Sequence, residues 1–329
     1  VFEGVQRMGR ILLQLRTSGN MLFRNWGAQI TCNHQNQPCI QVSFSLLSKC
    51  VVYHGEVEEE LQKLCRSLEN FHKDWCNHLT NIRSQYYALN HYTSEQVVFL
   101  CEWINSVSIK RKPVPQQIWH LLTPIKPDCT LVDIREAFER ATETEPMVQD
   151  DMSEESEPSD FDLPLSFSLL DVGTECLEDL WEQFKENMST FLTHHVDVET
   201  LGRFLSNLSA MNQKHIKRKI PCVLQEGRPN LVQCPVAELI STTLSFYTES
   251  PEHPLPTTDE VLMCQEETTV EEVEIFLRRC LGPQGTASNH QKIYTLVNPG
   301  SLTYDVSVAL VECFEMLERS AGPHYRLVM

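Results

Sequence analysis

Residues 255–281 read LPTTDEVLMCQEETTVEEVEIFLRRCL, and the fold turns on how the run Val261-Leu262-Met263-Cys264 leads into the segment after it. Thr269 with Glu272 three residues on makes a capping box, a reciprocal pairing that satisfies two orphan N–H groups where a helix begins. A short apolar run leading into a capped helix is half of a strand–helix–strand unit. The other halves lie on either side. Asn230 to Cys234, Lys292 to Val297 and Tyr325 to Met329 are further short apolar runs, and helix-length segments at 236–247, 269–281 and 303–318 separate them. Such alternation predicts a parallel sheet joined by right-handed crossovers, with the last strand at residue 329 and a sheet expected to continue beyond it.

The pair Asp259-Glu260 beside that run resembles the acidic end of an ATPase strand. A phosphate-binding loop would need glycines whose backbone N–H groups wrap the phosphates, with a Lys and a Ser or Thr beside them. The chain contains no GxxxxGK[ST]. The two acids also precede the strand, whereas ligands of open α/β sheets bind at the carboxyl ends. Asp259 and Glu260 are therefore expected to cap a strand entrance.

Upstream, residues 142–164 (TETEPMVQDDMSEESEPSDFDLP) crowd nine carboxylates and three prolines into a stretch with little apolar content. Burial cannot offset the entropy of ordering such a segment, so it is expected to be a mobile linker, with Ser153 and Ser156 as candidate phosphorylation positions. Before it, MLFRNWGAQITC and CIQVSFSLL, within residues 11–47, read as a small antiparallel element. From Val57 the positions Leu61, Leu64, Leu68, Phe71, Trp75, Leu79 and Ile82 recur at steps of three and four, predicting one long helix whose first turn is rich in glutamate. Thr93 and Gln96 make a second capping box, opening a helix that buries Val97, Leu100, Cys101 and Ile104. Shorter helices at 115–122 and 130–141 complete a helical bundle. After the linker, Leu177, Leu180, Trp181, Phe184, Met188, Phe191 and Leu192 mark one amphipathic helix, and Leu201, Phe204, Leu205 and Leu208 its neighbour.

The expected fold class is thus mixed α+β: residues 1–141 form a small β element and a stalk-like helical part, 142–164 a linker, and 165–329 a helical pair leading into a four-strand parallel α/β domain.

The chain has 329 residues, 41% of them hydrophobic and 22% charged, which is the composition of a globular protein of more than one domain. Its formal charge of −18 disfavours nucleic acid as a partner. The basic run Lys214 to Lys219 (KHIKRK) runs against that balance and reads as a solvated helix end or loop. Thirteen cysteines without a CxxC pair, and no signal peptide, point to reduced thiols in the cytosol. No apolar run approaches the ~20 residues of a membrane span. Because it starts at Val1 and stops on an apolar run, the chain reads as a piece of something longer.

Other candidate sites give way to simpler readings. Cys32, His34 and Cys39 have the right chemistry for zinc, but a structural site needs four ligands in paired spacing. They read as a hairpin turn. His194 and His195 suit a helix end. The sequons at Asn187 and Asn207 fall inside amphipathic helices and read as unused. Cys234-Pro235 sits between a strand and a helix, yet no histidine is placed to activate the thiol. Tyr86, Tyr87, His91 and Tyr92 could stack on bases, but in an acidic chain they read as a packed corner between helices. No residue is assigned as catalytic, cofactor-binding or metal-binding.

The blocks SGNMLFRNW (18–26), YYALNHYTSEQVVFL (86–100), GRPNLVQCP (227–235), LPTTDEVLMC (255–264), TTVEEVEIFLRRCL (268–281) and HYRLVM (324–329) together resemble the mysterin family. These are giant RING-finger E3 ubiquitin ligases built on a dynein-like AAA+ ATPase core. The resemblance places this stretch in the arm and linker just before the first nucleotide-binding AAA unit. It implies a parent that binds ATP with magnesium and zinc, works with the ubiquitin-conjugating machinery and associates with lipid droplets in the cytosol. The stretch itself is then expected to be a non-catalytic coupling segment leaning on the rest of the AAA+ core. The rival readings are a stand-alone nucleotide-binding α/β enzyme and an acidic adaptor protein.

Overall fold

The structure is a computed structural model that describes residues 1–32, 38–44, 49–110, 114–143, 177–186, 188, 195–212, 216–248, 254–282 and 292–329. The fold class is mixed α+β. Ten α-helices, a three-stranded antiparallel sheet and a four-stranded parallel sheet are present among the described residues. Most of the acidic stretch 142–164, with Ser153 and Ser156, lies outside them.

The chain divides into two compact units, each made of two separate segments. One comprises Val1–Cys76 with Thr142–Thr193, the other Asn77–Ala141 with His194–Met329.

The first unit opens with a helix that the strand-like reading of residues 11–47 does not contain. Helix α1 (Phe2–Thr17) buries Met8, Ile11, Leu12 and Leu15, the i, i+3, i+4, i+7 face of a helix. It ends where Gly19 takes φ +78, a left-handed turn available to glycine without strain. Asn20 Oδ1 then accepts the Leu22 N–H at 3.1 Å, folding Met21 to Phe23 into a turn rather than a strand. Strand pairing starts later, at β1 (Trp26–Cys32), which pairs antiparallel with β2 (Pro38–Phe44). A third strand, β3 (Lys49–His54), completes the sheet in the order β1-β2-β3. Helix α2 (Val57–Gln85) comes next as one unbroken rod of 29 residues, its first turn carrying Glu58, Glu59 and Glu60 as the dipole favours. Helix α6 (Leu177–Glu186) adds Trp181 and Phe184. Phe71 stacks on Trp181 at 5.1 Å and Phe23 meets Phe44 edge-on at 5.4 Å, forming an aromatic core.

The second unit begins with the last turns of α2. After a 3-10 turn at Tyr87–His91 come α3 (Ser94–Lys110), α4 (Gln116–Leu122), α5 (Leu131–Thr142) and α7 (Val198–Ala210). Thr93 and Gln96 form the expected reciprocal cap, with Thr93 N donating to Gln96 Oε1 at 3.0 Å. Val97, Leu100, Cys101 and Ile104 are all buried, as are Leu201, Phe204, Leu205 and Leu208. The bundle is close-packed: a Cβ on Gly202 of α7 would stand 2.6 Å from the Tyr86 ring.

The parallel sheet has the order β4-β7-β6-β5, with β4 (Arg228–Asn230), β5 (Val261–Met263), β6 (Tyr294–Val297) and β7 (Arg326–Val328). Strand β4 starts two residues earlier than the apolar run suggests, because Arg228 and Asn230 pair with Arg326 and Val328. Val232 N continues the ladder by donating to Met329 O at 2.8 Å. On one face, Tyr294, Leu296 and Leu327 pack against α9 (Val270–Leu281) and α10 (Tyr304–Glu318). On the other, Ile293 and Val328 pack against Leu224, Phe246 and Tyr247, around α8 (Leu239–Ser245). Adjacent residues thus face opposite layers, the period of two that a sheet dictates.

Candidate functional site

The acidic pair that opens β5 lies in a buried polar cluster of the second unit. Glu260 and Arg218 form a two-pronged ion pair: Nε donates to Oε1 at 2.9 Å and Nη2 to Oε2 at 2.7 Å. Neither side chain reaches solvent. Further partners surround both groups. Arg218 also donates to the carbonyls of Pro254 and Leu255, and Glu260 Oε2 accepts from the backbone and hydroxyl of Thr257, both at 2.9 Å. The guanidinium lies over the Tyr247 ring at 5.0 Å. Tyr247 in turn bonds Thr295 Oγ1 at 2.8 Å and Ile293 O at 3.1 Å. A buried ion pair costs much desolvation and is tolerated only when its lone pairs and protons are satisfied, as here.

Asp259 is held separately. Lys292 Nζ donates to its Oδ2 at 2.6 Å. Burial works against the ionised form, but the Lys292 ammonium outweighs it and holds the carboxyl well below the usual carboxylate range. Beside it lies His91, whose ring nitrogen Nδ1 is buried without a hydrogen-bond partner. Burial pushes the His91 imidazole down to about 3, so it is neutral at physiological pH. Tyr87 donates to Arg279 O at 2.6 Å, and Arg279 Nη1 donates to Asn90 O at 2.7 Å. Glu271, in the first turn of α9, accepts from Ser94 N, Ser94 Oγ and Arg83 Nη2. These bonds clamp the 3-10 turn and the start of α3 onto α9. The aromatic residues are therefore a packed corner, with Tyr87 and Tyr294 raised by burial.

Within the cluster each carboxylate faces a cation, Glu260 meeting Arg218 and Asp259 meeting Lys292. The family profile described as "RNF213 AAA domain" matches residues 229–329, which run from β4 to β7. The whole chain aligns with E3 ubiquitin-protein ligase rnf213-beta of Danio rerio at 82% identity over 330 residues. It aligns with E3 ubiquitin-protein ligase RNF213 of Homo sapiens at 35% over 336 residues, and with that of Mus musculus at 34% over 340. The chain belongs to the RNF213 family. It spans 6% of the length of each of these relatives, and β4 to β7 form an AAA-type domain of that family.

At the carboxyl ends of the strands, where an open α/β sheet takes its ligand, β4 runs into Leu231-Val232-Gln233-Cys234-Pro235-Val236. Leu231 and Val236 are exposed, and Pro235 removes a backbone donor. Cys234 sits there half-buried. Burial raises the thiols of Cys101, Cys264 and Cys280, which keeps them protonated.

The remaining sequence candidates are dispersed. Cys39 is buried and lies 3.2 Å from Thr31 Oγ1. His34 and the Cys32 side chain lie outside the described residues, and no group of three metal-ligating residues occurs among the described ones. His195 stands 3.6 Å from Glu102, and His194 is outside the described residues. Asn207 donates its amide to Ala137 O at 3.2 Å, while Asn187 is outside the described residues. The basic run needs a correction: Arg218 is no solvated cation but the buried partner of Glu260. The signal for it is available only by pairing across the chain, since a carboxylate buried at a strand entrance requires a cation from somewhere. Among the described residues no helix is long and apolar enough to cross a membrane.

Proposed function

We propose that this stretch is a non-catalytic coupling segment of an RNF213-family polypeptide, linking an amino-terminal arm to an ATPase ring. The observation that carries the reading is α2. Its residues up to Cys76 belong to one unit and the remainder, from Asn77 to Gln85, to the other, within a single helix of 29 residues. At 1.5 Å per residue that rod is about 43 Å long, stiff enough to pass a displacement on rather than absorb it. The buried pairs Arg218–Glu260 and Lys292–Asp259 support the same reading, because they commit the acids of the AAA-type domain to architecture. Ubiquitin transfer with its conjugating partners, the RING finger, zinc binding and hydrolysis of ATP with magnesium then belong to other parts of a dynein-like polypeptide that works in the cytosol and at lipid droplets.

Hydrogen exchange on the full-length protein with and without ATP tests the coupling. Nucleotide should change the protection of α2 and of the segments flanking it. Unchanged protection throughout residues 1–329 would overturn the proposal.

A further inference from the structure

The last turn of α2 is tied to α9 by groups 188 residues apart in sequence. Arg83, just before the end of α2, is 7% exposed. Its Nη2 donates to Tyr92 O and to Glu271 Oε1, both at 3.1 Å, while its own carbonyl accepts from Asn90 Nδ2 at 3.1 Å. Glu271, in the first turn of α9, gathers the other side of the joint. The same Oε1 takes the Ser94 N–H at 2.7 Å and the Ser94 hydroxyl at 2.6 Å. A single carboxylate oxygen thus holds both the end of α2 and the first residue of α3. Bonds between a guanidinium and a carboxylate are stronger than neutral ones, and an arginine cannot shed its charge when buried. Arg83 therefore keeps its hold on Glu271.

On its other side α9 is fixed to the sheet. Val273, Phe276, Leu277 and Leu281 share one core with Tyr294 and Leu296 of β6 and Leu327 of β7, the two central strands. All of these groups belong to the second unit, so contacts run without a break from the last turn of α2 to the middle of the parallel sheet. We propose that the Arg83–Glu271 pair is the joint through which displacement passes between α2 and that sheet, with Glu271 as the positioning residue. The inference rests on the coupling reading of α2 and adds the route. Other ties are weaker or lie elsewhere. Arg278 Nη2 reaches Thr80 Oγ1 of α2 only at 3.5 Å, the limit of a hydrogen bond. Tyr87 and Arg279 tie α9 to the 3-10 turn instead of to α2.

The test is hydrogen exchange on the full-length protein carrying Glu271→Gln, with and without ATP, beside the parent. Glutamine keeps the length of the side chain and an acceptor for Ser94, but not the charge that holds Arg83. Without nucleotide the variant should match the parent's protection over 57–85 and 270–281, which shows that it folds. Should it fail to fold, Arg83→Lys takes its place, keeping the charge while losing the planar guanidinium. The expected result is that ATP still changes the protection of 270–281, whereas its effect on 57–85 shrinks by roughly 2- to 30-fold, the span over which single residues modulate coupling. An undiminished effect on 57–85 in the variant would overturn the joint and leave the coupling role of α2 standing. No effect of ATP on 57–85 in the parent would overturn both.

Discussion

Arg218 and Glu260, 42 residues apart in sequence, meet in a two-pronged ion pair from which water is excluded on both sides. The strand entrance at β5 is thereby tied to the segment that leads into the AAA-type domain.

Breaking that pair from one side leaves a buried, uncompensated charge. Arg218→Met is expected to lower the unfolding free energy by about 3–5 kcal/mol. Combining it with Glu260→Leu should recover more than half of the loss, since two apolar side chains of similar volume remove the orphaned charge. Urea denaturation of the single and double variants decides it. A single variant as stable as the parent would show that the pair carries no weight.

The His91 imidazole predicts an acid limb. Its value of about 3 in the folded chain lies below the ~6.5 of an unfolded histidine. As pH falls the unfolded chain takes up the proton first, so this contribution to stability is whole above pH ~6.5 and drains away toward the folded value. At pH 5 the loss is about 2 kcal/mol. The groups facing the ring are Asp259, Arg279 and Lys292. The last two are cations that oppose a further positive charge. His91→Gln should flatten the stability profile between about pH 6.5 and 5, measured by denaturant midpoints in a pH series.

Gly202 is a packing constraint. A methyl group there would stand 2.6 Å from Tyr86 Cγ, closer than any real contact, so Gly202→Ala should cost about 1–3 kcal/mol by overpacking. Adding Tyr86→Ser, which removes the obstructing ring, should make the alanine tolerable. A melting curve in which Gly202→Ala is as stable as the parent would show that α7 has room to shift.

Thr269→Ala removes half of the capping box at the start of α9, where Thr269 Oγ1 accepts from Glu272 N at 3.2 Å and Glu272 reaches back to Thr269 N at 2.8 Å. The expected cost is about 1 kcal/mol, and Thr269→Asn should restore most of it. Equal stability of the alanine and asparagine variants would sink the assignment.

Much of this architecture is legible in the sequence because local signals agree with the final packing. The helix predicted over 269–281 runs from Val270 to Leu281, and its cap is the one the Thr-Glu spacing announces. The four strands and their helical separators emerge in the predicted order, and Asp259 and Glu260 stand at the strand entrance. Less visible is what depends on long-range partners. Helix α1 hides behind a run of β-compatible residues, Ile11 to Leu13, that only its i, i+4, i+7 burial resolves. Strand β3 is short and needs β2 to exist. Arg218 looks like one of four surface cations until a carboxylate from another part of the chain meets it.

The interleaving of the two units bears on how the chain is made. Because residues 77–141 belong to the second unit and 142–193 to the first, neither is a contiguous stretch of message. On the ribosome, the opening 76 residues must wait, with part of their aromatic core still unsynthesised, while a portion of the other unit emerges. Truncation at any one peptide bond would therefore leave at least one of the two units without part of itself.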